Sequence, residues 1–228
     1  MRTKGNEQPE SWEKIYSEGK PGWDIAKPAP PFIKLLGQNP AWLKAGKLIN
    51  FGCGNGHDAN FFAEHDFEVT AVDFAPSAIK NCQVYADAND KLSLLQADLL
   101  ELPSELANCF DYVLEHTCYC TVPRENRRLY MESAHTVLKS DGYLFGLFYR
   151  FDPSDLDGPP YSLTMPEFEA SFAGLFELIS CETPKQSHGR RTNREHTMTI
   201  QSPGAPTTAS RGSRSVALGR TGLIATSQ

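Results

Sequence analysis

Short apolar runs alternate with amphipathic stretches through the middle of the chain. Lys47–Phe51 (KLINF) is β-prone and stops at a glycine-rich turn. Residues 58–64 then place Ala59, Phe62 and Ala63 on one helical face. Residues 68–72 (EVTAV) predict a second strand ending at Asp73, and residues 77–88 a helix with Pro76 at its start, where proline is tolerated. Leu92–Gln96 predicts a third strand just before Asp98, and residues 110–114 (FDYVL) a fourth ending at Glu115. Residues 124–138 predict a helix whose buried face is Leu129, Ala134, Val137 and Leu138. Residues 143–149 (YLFGLFY) predict a fifth strand, opened by an Asp141-Gly142 turn. Alternation of strand and helix is the signature of a parallel sheet covered on both faces, and the apolar strands fit double burial.

The flanks differ in character. Residues 1–45 are rich in Trp, Pro and Lys, with helix-like pieces. Residues 151–200 hold a proline-rich loop, a helix and two further strands. Residues 202–228 are mostly Ser, Thr, Gly, Ala and Pro, with Arg211, Arg214 and Arg220 and no acid. Such a segment buries too little surface to offset the entropy of ordering, and disorder is expected. The division is therefore 1–45, 46–201 and a 202–228 tail.

Composition narrows the function. The 228 residues carry 22 Lys and Arg against 28 Asp and Glu, a formal net charge of −6. A general nucleic-acid binder usually has a basic surplus. No apolar run reaches the roughly 20 residues of a membrane span, and the N-terminus lacks an apolar signal core. The expectation is a cytoplasmic monomer with a small-molecule partner, no nucleic acid and no membrane. Six cysteines, none in a CxxC pair, argue for reduced thiols, with no metal site expected.

The chemistry concentrates after the strands. The turn Gly52-Cys53-Gly54-Asn55-Gly56 lies between a strand and a helix. Glycines allow a tight turn and close approach of a ligand. Asp73 follows about twenty residues on, the spacing that grips a ribose diol. Spacing alone leaves a dinucleotide and S-adenosylmethionine (SAM) both open. The GxGxG form, and Asp98 with Leu99 beside an adenine edge, favour SAM.

The stretches GCGNGHDA, VTAVDFAPSAI, QADLLEL and FDYVLEHTCYC resemble class I SAM-dependent methyltransferases. The N-terminal WEKIYSEGKPGWD, the Gly158-Pro159-Pro160-Tyr161 segment and the arginine-rich stretch from Arg124 to Arg128 resemble the thiopurine methyltransferase family, plant halide and thiol methyltransferases included. The resemblance covers about residues 9–200. It implies a Rossmann-like α/β fold with a mostly parallel seven-stranded sheet and helices on both faces. It implies that residues 1–45 form a helical lid, with Trp12, Tyr16 and Trp23 over the cofactor. It carries Gly52 and Asp73 over as SAM ligands, Asp98 and Leu99 to the adenine side, and His116 to the methionine end. Plant members usually have Trp at Tyr16, an aromatic at His116 and Pro at Arg150. His116 at that place either takes a thiol proton or simply packs.

A soft anion needs little base catalysis, because a free thiol has a pKa of about 8.5. Acceptor-pocket candidates are His116, Tyr119, Arg150 and Tyr161, with no certain catalytic residue. Cys118 and Cys120 read as buried small residues, since methyl transfer needs no covalent enzyme intermediate. The leading expectation is a methyltransferase acting on a thiol, bisulfide, thiocyanate or halide and releasing S-adenosylhomocysteine (SAH). The alternatives are O-, N- or C-methylation of another metabolite, a non-catalytic SAM-binding protein, and an NAD enzyme, which the aromatic lid disfavours.

Overall fold

The computed structural model describes residues 9–19, 21–149 and 158–204. Seven strands form one sheet in the order β3-β2-β1-β4-β5-β7-β6. They are β1 (Lys47–Phe51), β2 (Glu68–Asp73), β3 (Leu92–Gln96), β4 (Phe110–His116), β5 (Leu138–Tyr149), β6 (Glu177–Glu182) and β7 (Glu195–Gln201). The first five are parallel, and β7 runs antiparallel between β5 and β6. Helices α1 (Pro9–Ser17), α2 (Pro30–Gln38), α3 (His57–Ala63), α4 (Pro76–Ala86), α5 (Arg127–Val137) and α6 (Met165–Phe172) accompany it.

Two apolar clusters lie on the sheet. One gathers Ile49, Phe51, Val113 and Leu144 with Tyr130, Met131 and Ala134 of α5 and Phe168 of α6. The other gathers Leu48, Val69 and Leu114 with Phe32 of α2 and Phe62 of α3. Leu48 of β1 feeds one cluster and Ile49 and Phe51 the other, which is why the strand carries apolar residues on both faces. A chain with both sheet faces covered has only its strand ends left for a ligand.

Two expectations change. Leu129 is exposed. The buried face of α5 is Arg127, Tyr130, Met131, Ala134 and Val137, a three-and-four spacing that leaves residue 129 on the far side. The Asp141-Gly142 turn lies inside β5, which starts at Leu138. Asp141 has φ 63° and the pairing with β4 shifts between Phe110 and Tyr112, so the strand absorbs the turn as an irregularity. Ser202 is buried and donates its backbone N–H to Gly142 O at 2.8 Å. Residues 205–228 lie outside the described residues, as does Arg150.

Candidate active site

The strand order reverses between β1 and β4, and the crevice of an open α/β sheet opens beyond the C-terminal strand ends at such a point. A cavity of about 370 Å³ lies there. Its wall includes Gly52 and Gly54 after β1, Asp73 ending β2, Leu99 after β3, His116 ending β4 and Tyr149 ending β5. A smaller cavity adjoins it, lined by Asp98, Leu100, Val122 and Tyr130. Trp12, Phe74, Leu99 and Cys118 line both.

The glycine positions of the turn have no room for side chains. Gly52 has φ +60°, and a Cβ there would sit 2.5 Å from Cys118 Sγ. Asp73 braces the turn. Its Oδ2 accepts from Gly54 N–H and its Oδ1 from Ala75 N–H, each at 3.0 Å. Burial pushes this carboxyl up, while the backbone donors pull it down. Asp98 Oδ1 accepts from Leu100 N–H at 3.0 Å while the residue faces the smaller cavity.

The N-terminal aromatics roof the main cavity. Trp23 meets Trp12 edge to face at 5.2 Å and Tyr16 at 5.9 Å, and its Nε1–H donates to the Tyr16 hydroxyl at 3.3 Å. Tyr16 is buried over Gly54, and burial pushes its hydroxyl well up. Two polar clamps fix the roof. Glu13 accepts from the backbone N–H and Oγ–H of Ser77 at 2.8 and 2.6 Å, at the start of α4. Asp24 accepts from Asn55 Nδ2 and lies 3.2 Å from His57 Nε2, contacts that hold its carboxyl below the usual range.

Deeper in the wall, His116 Nδ1 lies 2.6 Å from Asp58 Oδ2, and Arg191 Nη1 meets its Nε2. Arg191 stands on the short turn Gly189–Arg191 before β7 and donates Nη2–H to Trp23 O at 2.6 Å. Beside His116, Glu115 is fully buried. Its Oε1 accepts from Cys118 and Tyr119 N–H at 2.6 and 2.7 Å, while Oε2 has no hydrogen-bond partner among the described residues. Burial pushes its carboxyl up to about 8, against the pull of those N–H groups and of Arg191.

Comparison with known proteins decides what this cavity belongs to. The profile of the family described as "Thiopurine S-methyltransferase (TPMT)" matches residues 7–203. The chain belongs to this family. It is 27% identical over 189 residues to thiocyanate methyltransferase 1 of Brassica oleracea, covering 81% of each chain. It is 29% identical over 188 residues to probable thiol methyltransferase 2 of Arabidopsis thaliana, again covering 81% of each. Among solved structures, it matches Burkholderia thailandensis 1,6-didemethyltoxoflavin-N1-methyltransferase, whose structure holds SAH. The TM-score is 0.65 at 20% identity, over 86% of this chain and 87% of that one. The fold is that of the class I SAM-dependent methyltransferases, and the chain is a SAM-dependent methyltransferase.

The cavities of this methyltransferase suit SAM. They offer a buried carboxylate for a diol, an apolar slot with an acid at its edge for a base, and aromatic faces for a cation. The structure gathers Trp12, Tyr16, Trp23, Gly52, Asp73, Leu99 and His116 around the main cavity, and Asp98 beside the smaller one. Two acceptor candidates fall elsewhere. Tyr119 lies in the core, packed on Tyr130, Phe148 and Phe168, with its hydroxyl donating to Ser171 Oγ at 2.8 Å. A tyrosine so enclosed by aromatics has no face left for a ligand. Tyr161 packs its ring on Gly158 and donates its N–H to Cys120 O at 2.7 Å; Pro159 and Pro160 line the cavity instead. Burial pushes the Cys118 and Cys120 thiols up, the latter to about 12, which keeps both neutral. Sequence reading missed Asp58, Arg191, Asp24 and Phe74. Asp58 stands inside the glycine-turn motif, but its partner is 58 residues away.

Proposed function

We propose that this methyltransferase acts on a small soft nucleophile: a thiol, hydrosulfide, thiocyanate or halide. The observation that carries the cofactor reading is the buried Asp73 carboxylate in the wall of an aromatic-roofed cavity at the strand ends. Asp73 holds the ribose, Leu99 and Asp98 flank the adenine, and Gly52 gives the methionine part close backbone approach. Trp12, Tyr16 and Trp23 face the sulfonium, each contact contributing about 0.5–2 kcal/mol. Bound SAM supplies an electrophilic methyl group. The chain holds the acceptor in line and keeps water out.

The acceptor class is supported by the names of relatives, which include thiocyanate and thiol methyltransferases. Residues 1–45 serve as the cover, and the terminal segment is dispensable for binding. Six free cysteines suit a reducing compartment, and we assign the protein to the cytoplasm. The test is SAH formation from SAM with hydrosulfide, thiocyanate, an aryl thiol and iodide. Turnover of a soft nucleophile is expected. SAM binding without SAH formation across the panel would overturn the acceptor class.

A further inference from the structure

Three side chains from distant parts of the sequence meet in the wall of the main cavity. His116 ends β4, Asp58 is in the first turn of α3, and Arg191 comes from the turn before β7. Both His116 and Arg191 line the main cavity, as does Asp58. A guanidinium has only donors, and an ionised carboxylate only acceptors. The network therefore assigns the imidazole proton to Nδ1, 2.6 Å from Asp58, and the lone pair to Nε2, facing Arg191. Each partner is itself held. Asp58 Oδ1 accepts from Ala29 N–H at 2.8 Å, and Arg191 is anchored on Trp23 O at 2.6 Å. Phe32 fixes the imidazole plane edge to face at 5.6 Å. A cavity-lining ring with one nitrogen oriented by a carboxylate and the lone pair of the other covered only by a guanidinium that also lines the cavity has the geometry of a general base once that contact is displaced.

We propose that His116 is the general base for thiol acceptors, oriented by Asp58, and that Arg191 receives the thiolate. The proposal rests on the soft-nucleophile reading above. The acceptor sulfur enters between Nε2 and the guanidinium, replacing their direct contact. Its S–H bond breaks, the proton goes to Nε2, and the electron pair stays on sulfur beside Arg191. The thiolate sulfur then bonds to the methyl carbon as the carbon–sulfonium bond breaks, and that pair remains on the departing sulfur. The proton leaves His116 for solvent after the methylated thiol departs. Thiol plus SAM thus gives thioether, SAH and one proton.

The proposal separates two kinds of acceptor. An alkyl thiol with a pKa above about 8.5 is mostly protonated at neutral pH, so a base raises its reactivity. Thiocyanate is an anion throughout and has no proton to lose. The charged groups facing His116 are Asp58 from α3 and Arg191, with Glu195 of β7 at 4.0 Å behind the guanidinium. Glu115 precedes it on β4, and Lys27 and the Asp24–His57 pair line the same cavity. Phe32 is the α2 contact and carries no charge.

The test uses the full chain and kcat/KM for SH compounds of graded acidity, with thiocyanate in parallel. With a working base, the wild-type rate at neutral pH falls less steeply for each unit rise in thiol pKa than the His116→Gln rate does. His116→Gln loses about 100-fold with an alkyl thiol, and at least tenfold less with thiocyanate. Raising the pH toward the thiol's own pKa recovers the variant's loss. Asp58→Asn shows the same acceptor-dependent loss, mainly in kcat, and Arg191→Gln raises KM for both acceptors. Equal losses with both acceptors in folded His116→Gln would overturn the base. So would a wild-type rate that tracks the thiolate fraction, a readout that needs no variant. If wild-type enzyme turns over no soft nucleophile at all, the soft-nucleophile reading falls and takes the base with it. Turnover of thiocyanate without any thiol overturns the base alone.

Discussion

Asp73 supports the turn and lines the main cavity with one carboxylate. Its two oxygens already hold the N–H groups of Gly54 and Ala75 in a buried wall. Hydrogen bonds to a charged group contribute about 1.5–3 kcal/mol each. Asp73→Ala is therefore expected to weaken SAH binding by about tenfold or more and to lower the melting temperature. Titration calorimetry with SAH checks the first effect and thermal denaturation the second; unchanged affinity in folded protein would remove Asp73 from the site. Gly52 makes a second residue-scale prediction. Its φ of +60° and the 2.5 Å approach of Cys118 Sγ to a would-be Cβ leave no place for a methyl group. Gly52→Ala should lose SAH affinity and stability together. Gly37→Ala in α2, where nothing lies within 4 Å, should be neutral or stabilising by about 0.5–1 kcal/mol. Gly52 and Asp73 were legible in the sequence because a glycine turn and the acid after the next strand are local signals with fixed spacing. Tyr119 misled because its neighbours in sequence approach the cavity while its own ring points into the core.

At the scale of elements, the parallel strands were legible to within a few residues, since burial on both faces demands continuous apolar runs. The phase of α5 was not, because Leu129 competes with a face that includes the buried Arg127 stacked 5.2 Å from the Tyr119 ring. The cover over the cavity is also an element-scale matter. Helix α1 presents Tyr16 to the glycine turn and Glu13 to the first turn of α4. Glu13 accepts two hydrogen bonds from Ser77, and their loss frees one end of the roof. Glu13→Ala is expected to raise the SAH dissociation constant about three- to tenfold through loss of these hydrogen bonds. The melting temperature should change little, because α1 lies outside the two large clusters. An unchanged dissociation constant would show that the aromatics stay in place without the clamp.

At the scale of the molecule, folding puts a carboxyl group where water cannot reach it. Burial penalises the charge of Glu115 and pushes its carboxyl from the ordinary value of 4.5 up to about 8. Between those values the native state binds more protons than the unfolded chain. The contribution of this one group to stability is then fully present below pH 4.5 and is lost as pH rises toward 8. Glu115→Gln keeps an acceptor for Cys118 and Tyr119 N–H and removes the titration. The variant should show a flatter stability curve across that window, measured as urea midpoints at several pH values. Parallel curves for variant and wild type would refute the buried titration. The sequence by itself determined the alternating elements, the glycine turn, the acids after β2 and β3, and the aromatics of the cover, because each is written in local order. Only the tertiary structure decided that Asp58, His116 and Arg191 form one constellation. Their separations of 58 and 75 residues follow from strand order and the return of β7, which no spacing along the chain encodes.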